Sequence, residues 1–271
     1  QQLLSWTMAN MSGTKQMVSS RAGIQDIDVK VWKDKVVLVR VDYSVPLLIP
    51  GTGLLSGLPG AMHVVANDSK IRASLKTVRY LLETGAVVLL LSHLGRPDIP
   101  DHADEDDVDI RSQGDGKVDS KLPVRWYKAA LTLRGLMYKL TELLDDPTVD
   151  ISFCDYCIGS ARHAEVQLAR ERESRSGRGQ LILLENVRFY REEVLNTPSF
   201  CAALAQDVDF FVNEAFSVSH RAHASIVGIK PHLKTPLALA GYHFQAEQKA
   251  LEQCFQNPKR PFACIIGGKK M

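Results

Sequence analysis

The chain predicts an α/β fold, a parallel β-sheet flanked by helices, and two observations carry that expectation. Short β-branched and leucine-rich runs alternate with longer helical stretches, the pattern of strands joined by crossover helices. Three apolar runs are followed at once by cationic side chains: Val87–Leu91 by His93 and Arg96, Leu181–Leu184 by Arg188, and the run ending at Val212 by His220, Arg221 and His223. Ligands of open α/β sheets bind at the carboxyl ends of the strands, so three such ends suggest one converging anion site.

The expected strands, in order, are Val36–Val41, Val87–Leu91, Ile151–Cys154, Leu181–Leu184, Phe210–Val212 and Ala263–Ile266. The expected helices are Ser74–Glu83, Trp126–Leu144, Ala161–Arg172 and Ala246–Cys254, which makes a Rossmann-like three-layer arrangement. Gly85 is a natural stop for the first helix. In the second, Leu131, Leu133, Leu136, Met137, Leu140, Leu143 and Leu144 recur at helical spacing and should pack on the sheet. Arg170–Arg178 reads as an exposed helix end and turn.

Two connections, 47–68 and 98–120, exceed the usual few residues. The first opens Gly51-Thr-Gly53, but Gly57 falls one position late for a dinucleotide loop and Pro59 opposes a following helix. The second is rich in aspartate without the spaced ligands and closing glutamate of a calcium loop, so it reads as solvated.

At 271 residues, with 45% hydrophobic and 24% charged residues, the chain can bury one large or two smaller cores. A net charge of +2 supports no nucleic-acid partner, and no apolar stretch is long enough to span a membrane. Five scattered cysteines fit reduced thiols and a cytoplasmic location. Cys154 and Cys157 form a lone C-x-x-C, for which a redox role is the alternative. The first twenty residues carry neither a secretory core nor an arginine-rich amphipathic pattern.

Arginine presents a planar fork of donors to carboxylate and phosphate, and lysine a compact charge. Arg96, Arg188 and Arg221, with His93, His220 and His223, therefore suit a small ligand carrying both groups, and Asp42 could accept a hydroxyl or place a cation. The bland reading of each is a solvated arginine or a satisfied structural histidine; their convergence is what favours a site. His220-Arg-Ala-His223 has metal-ligand spacing, yet no third ligand stands near, so no metal is expected.

Lys35-Val-Val-Leu-Val-Arg40-Val-Asp42-Tyr-Ser44-Val-Pro46-Leu47 resembles the opening strand motif of phosphoglycerate kinases. Lys70-Ile-Arg72-Ala-Ser-Leu, Ser92-His-Leu-Gly-Arg-Pro97, Leu184-Glu-Asn-Val-Arg188-Phe189, Asn213–Ser225 and Arg260–Lys270 are similar to its later motifs, in order. The resemblance implies the first domain of a two-domain kinase. Residues 1–22 would be a disordered N-terminal extension, 23–245 the 3-phosphoglycerate-binding α/β domain, and 246–271 an interdomain helix with the first strand of a nucleotide domain.

By that resemblance Asp42, Ser44, His93, Arg96, Arg188 and Arg221 bind 3-phosphoglycerate or 1,3-bisphosphoglycerate. Lys70 and Lys270 would be catalytic, and Gly267 and Gly268 would face Mg-ATP or Mg-ADP. Because the family's nucleotide domain begins near Pro261, little activity is expected of the chain alone, and a separate nucleotide-domain chain is a possible partner. The alternative is a non-catalytic phosphoglycerate- or anion-binding module.

Several positions depart from the pattern. Ser44 stands for Asn, Lys70 for Arg, Glu214 for Asp, Ser217 for Gly and Lys269 for Ala. Lysine keeps the charge at position 70 but loses the fork. In an extended segment Arg72 would share a face with Lys70 and stand in for it; in a helix it would point about 200° away. A side chain at Ser217 would crowd the ligand or demand an altered backbone. Phe262–Met271 is expected to be disordered, packed back on the domain or paired with another chain.

Overall fold

The computed structural model describes residues 22–48, 64–97, 125–235, 237–256, 258–263 and 265. A six-stranded sheet forms its centre, built from β1 (Val36–Arg40), β4 (Val87–Leu91), β5 (Asp150–Cys154), β6 (Gln180–Leu184), β7 (Phe210–Asn213) and β8 (Ala238–Ala240) in the order β5-β6-β4-β1-β7-β8. Every pairing in it is parallel. Leu47–Leu48 (β2) and Val64–Val65 (β3) form a separate two-residue antiparallel pair at the base of the first long connection.

The apolar runs make strands because both faces of the sheet are covered. On one face Val37 and Val39 of β1 pack with Ile71, Leu75, Val78 and Leu81 of α1 (Ser69–Glu83), and with Leu140, Leu143 and Leu144 of α2 (Met137–Leu144). On the other, Val36 and Leu38 pack with Val166 and Ala169 of α3 (Gly159–Ser176). Phe200 and Leu204 of α5 (Pro198–Ala205) complete that face, with α4 (Arg191–Leu195) just before it. Each such leucine or valine contributes about 1.5–3 kcal/mol through burial.

Register decides where the strands end. Arg40 stands opposite Leu91 on one side and Asn213 on the other. Cys154 likewise stands opposite Leu184. The residues that follow these strands therefore emerge along one rim.

Five of the expected strands are present, each within a residue or two of its expected bounds. The sixth differs: Ala263 and Ile265 are not in a strand, and Ile265 is 98% exposed, because no described strand lies beside it to pair with. The first helix starts earlier, at Ser69, and ends before Gly85, whose φ of +79° suits glycine. The last, α6, runs Tyr242–Gln256 rather than from Ala246.

Trp126–Leu144 is not one helix. Short 3-10 turns at Ala129–Leu131 and Leu133–Leu136 precede α2, because Thr132 is extended and its hydroxyl caps the Arg134 N–H. The leucines still reach the core at Leu133, Leu136, Leu140, Leu143 and Leu144. β8, α4 and α5 were not expected. Most of both long connections, the Gly51–Gly57 stretch and the N-terminal extension fall outside the described residues.

Candidate anion-binding site

The rim is stitched before any ligand is considered. The Ser92 hydroxyl accepts from the Tyr43 N–H at 2.8 Å and donates to the Val41 carbonyl at 3.1 Å, locking the end of β1 to the end of β4. Asn186 donates to the Leu94 and Leu131 carbonyls at 2.8 and 3.0 Å and accepts from the Arg188 N–H at 3.1 Å. The Glu185 carboxylate, buried and pushed upward in pKa by that burial, accepts from Thr132, Leu133 and Asn186. These bonds hold the segments after β4 and β6 against each other.

Arg188 stands on a short turn, and its Nη1 donates to the Gly95 carbonyl at 2.7 Å. Gly95 has a φ of +64°, and a Cβ there would lie 2.7 Å from Leu131 Cδ2, so the backbone that receives Arg188 requires glycine. Arg96, Arg188 and Arg221 line one pocket of about 360 Å³ together with Arg191, His223 and an apolar wall of Pro97, Val194 and Leu195. Burial first, then the neighbouring Arg40 charge, lowers the Arg188 pKa from its ordinary value, with Arg96 and Arg221 adding to the repulsion. A pocket whose cations repel one another is stabilised by an arriving anion.

His93 sits between this pocket and a second group. Its Nδ1 lies 3.2 Å from Arg40 Nη2. Burial, then Arg40 and Arg188, press its pKa down to about 3 from 6.5. The unfolded chain thus takes up a proton near pH 6.5 that the folded chain refuses, and stability present above that pH is lost as pH falls towards 3. Urea unfolding of His93→Gln should therefore show a shallower acid slope than the parent, by up to about 1.4 kcal/mol per pH unit. Equal slopes would refute a neutral His93.

Asp42 anchors the second group. Its Oδ2 accepts from Lys70 Nζ at 2.9 Å and from the Ser217 hydroxyl at 2.6 Å, and its Oδ1 from the Ser44 N–H at 3.0 Å. Burial opposes the charge, but the bonds from Ser217, Lys70 and Ser44 together hold the carboxyl below its usual range. Asp42, Lys70, Ser217, Glu214 and His243 border a pocket of about 470 Å³ between α1 and α6.

Lys70 is helical, so Arg72 points elsewhere and pairs with Asp68 at 2.9 Å. It does not stand in for the missing fork at position 70. Ser217, which stands where the family has glycine, lines this pocket, and its hydroxyl hydrogen-bonds Asp42. Glu214 is engaged within the fold: it accepts from Thr77 at 2.5 Å and from the His243 and Phe244 N–H groups at 3.0 and 3.1 Å, capping the start of α6.

Of the residues expected from the sequence, Arg96, Arg188 and Arg221 meet in the first pocket, His93 lies beside it, and Asp42, Ser44 and Lys70 form the second group. His220 is exposed and does not line the pocket. Gly267, Gly268 and Lys270 lie outside the described residues.

Arg40, Arg191, Glu193 and Ser225 were missed as site residues. Arg40 was visible in principle, since an arginine inside a wholly apolar strand must meet a buried partner. Cys154 and Cys157 are buried thiols, Cys154 raised to about 11 and Cys157 also pushed well above its usual value by burial, the reverse of an activated redox pair. Among the described residues no cluster of three or more His, Cys, Asp or Glu is placed to hold a metal, and no helix is long and apolar enough to cross a membrane.

The family model for phosphoglycerate kinase matches residues 24–271. A phosphoglycerate kinase of Synechococcus sp. (strain JA-3-3Ab) is 38% identical over 239 residues, 88% of this chain and 48% of the relative. A chloroplastic phosphoglycerate kinase of Chlamydomonas reinhardtii is 34% identical over 267 residues, 98% of this chain and 47% of that protein. The crystal structure of the enzyme from Pyrococcus horikoshii OT3 superposes with a TM-score of 0.61 at 23% identity, covering 89% of this chain and 47% of that one. The structure from Coxiella burnetii gives 0.59 at 25%, with 89% and 46% covered. The chain spans about half the length of the relatives it matches.

Proposed function

The chain belongs to the phosphoglycerate kinase family, and from that premise we propose that its rim binds 3-phosphoglycerate or 1,3-bisphosphoglycerate for phosphoryl transfer in glycolysis. The observation that carries the reading is the meeting of Arg96, Arg188 and Arg221, with Arg191 and His223, around one pocket. A phosphate ester of about −1.5 to −2 charge joined to a carboxylate needs that many donors. Two carbons lie between its carboxylate and its phosphate ester, so neighbouring arginines can hold both.

In this reading Arg96, Arg188 and Arg221 take the phosphate and carboxylate, His93 donates a hydrogen bond, and Asp42 accepts from the ligand's hydroxyl. Ser44 helps by fixing Asp42 through its N–H. Lys70 neutralises charge on the transferring group. Mg-ATP or Mg-ADP, when bound, supplies or accepts the phosphoryl group, and Gly267, Gly268 and Lys270 would meet it. The described residues have no carboxylate cluster for the magnesium, so no step is assigned to it. Phosphoryl transfer asks mainly for positioning and charge neutralisation, and a site of arginines with no activated nucleophile suits that.

A second reading, a phosphoglycerate-binding module without catalysis, draws on one observation. Lys70 stands where the family has an arginine, and its ammonium is already engaged by Asp42. Both readings require binding. Titration calorimetry of the chain with 3-phosphoglycerate should give heat that weakens as salt rises. Glycerol phosphate and lactate, each lacking one anionic group, should bind less tightly. No heat with the fold intact would reject both readings.

A further inference from the structure

The Arg40 guanidinium is buried at the end of β1, and each of its nitrogens is engaged. Nε donates to the Ser225 hydroxyl at 2.9 Å, Nη1 to the Val41 carbonyl, and Nη2 faces His93 Nδ1 at 3.2 Å. A guanidinium has five donors and no acceptor. Two proton positions follow. His93 Nδ1 must be the acceptor, so the ring proton of the neutral imidazole sits on Nε2. Ser225, already accepting from Arg40, sends its own proton to Glu193 Oε1 at 2.6 Å. The other Glu193 oxygen takes the Ser225 N–H at 2.9 Å.

We propose that Glu193 and Ser225 are positioning residues which, through Arg40, hold His93 as the neutral Nε2–H tautomer, so that His93 meets the bound anion as a hydrogen-bond donor and not as a cation. The identity of the anion rests on the functional reading above; the tautomer does not.

The carboxylate is suited to the task. Glu193 comes from α4, is fully buried, and is the anion whose charge most opposes the pull of burial on Arg40, ahead of Asp42. Without it, a buried guanidinium would lack compensation for its lost hydration. His223 approaches the same carboxylate at 3.6 Å from the pocket side. The charged groups around His93 are Arg40 from β1, Asp42 after it, Lys70 from α1 and Arg188 after β6. Three of these four are cations, which together with burial disfavour a second ring proton.

The ring-nitrogen NMR spectrum of the histidine-labelled chain reads the tautomer directly, with His93→Gln to assign the resonance. The parent should show a protonated Nε2 and bare Nδ1, unchanged from about pH 5 to 8. Ser225→Ala should let His93 exchange between tautomers and weaken 3-phosphoglycerate binding about tenfold. Ser225→Thr, which keeps the hydroxyl, should restore both. Glu193→Gln should repeat the spectral change in milder form. A proton on Nδ1, titration of His93 within that pH range, or an unchanged spectrum in Ser225→Ala and Glu193→Gln would overturn the proposal. The expected parent and variant spectra in a chain that binds no phosphoglycerate would support the positioning and sink the functional reading. Should Ser225→Ala fail to fold, the parent and Glu193→Gln spectra decide the matter.

Discussion

Arg188→Ala should lower the affinity for 3-phosphoglycerate on the order of 10²-fold. Truncating one partner of a desolvated charge pair typically removes about 2–5 kcal/mol, and Arg188 is a half-buried cation of the pocket, whereas Arg96 and Arg221 are exposed. Within the described residues the Arg188 side chain donates to the Gly95 carbonyl, a single bond whose loss the fold should survive. Arg188→Lys should fall between, keeping charge but losing the fork. Exposed Arg221 should matter less and show the stronger salt dependence. Calorimetry with circular dichroism as the control checks the series. Affinity within twofold of the parent for Arg188→Ala would place the ligand elsewhere.

Glu214→Ala should be the most destabilising single change near the site, by about 2–4 kcal/mol. The substitution strands three donors: the Thr77 hydroxyl and the His243 and Phe244 N–H groups. Each unsatisfied buried donor costs about 1–3 kcal/mol, partly relieved by water at the helix end. The carboxylate also faces the positive end of α6, a further loss when removed. For a domain of this size the melting temperature should fall by about 5–12 °C. Glu214→Asp, one methylene shorter, should recover only part. Differential scanning calorimetry measures both, and a fall under 2 °C for the alanine variant would mean that α6 does not depend on this cap.

Much of the sheet was legible because a strand buried on both faces must be a near-continuous apolar run, and Val36–Arg40, Val87–Leu91 and Gln180–Leu184 are such runs. The site's rim was legible for a related reason, since polar residues placed directly after those runs have only one edge on which to appear. Ala238–Ala240 escaped notice because three small residues carry no periodicity. Pro198–Ala205 has few polar positions to set a phase. The break at Thr132 depends on Glu185, 53 residues away, which no local pattern reports.

The buried layer beneath the pocket was hidden in the same manner. Ser225 and Glu193 are ordinary residues in sequence, and only their 32-residue contact, closed over Arg40, gives them a role. Lys70 shows the opposite case. Its departure from the family pattern was visible at once, but whether Arg72 could replace it turned on one backbone conformation, and the helix answers that it does not.

The position of β1 carries a consequence for how the molecule is made. β1 is made before the other five strands of the described sheet and lies in its middle beside β4, yet its partner β7 follows far behind; the Val36 N–H bonds an Asp209 carboxylate 173 residues later. At about 5–20 residues per second, that interval is on the order of ten seconds of synthesis. Throughout it one edge of β1 stays open, and the rim lacks the segment bearing Arg221. Such long-range pairing is slow to form and exposed to wrong partners while it waits. Chaperone dependence during translation should therefore concentrate before β7 emerges, and the pocket should come into existence in one late step, not arginine by arginine.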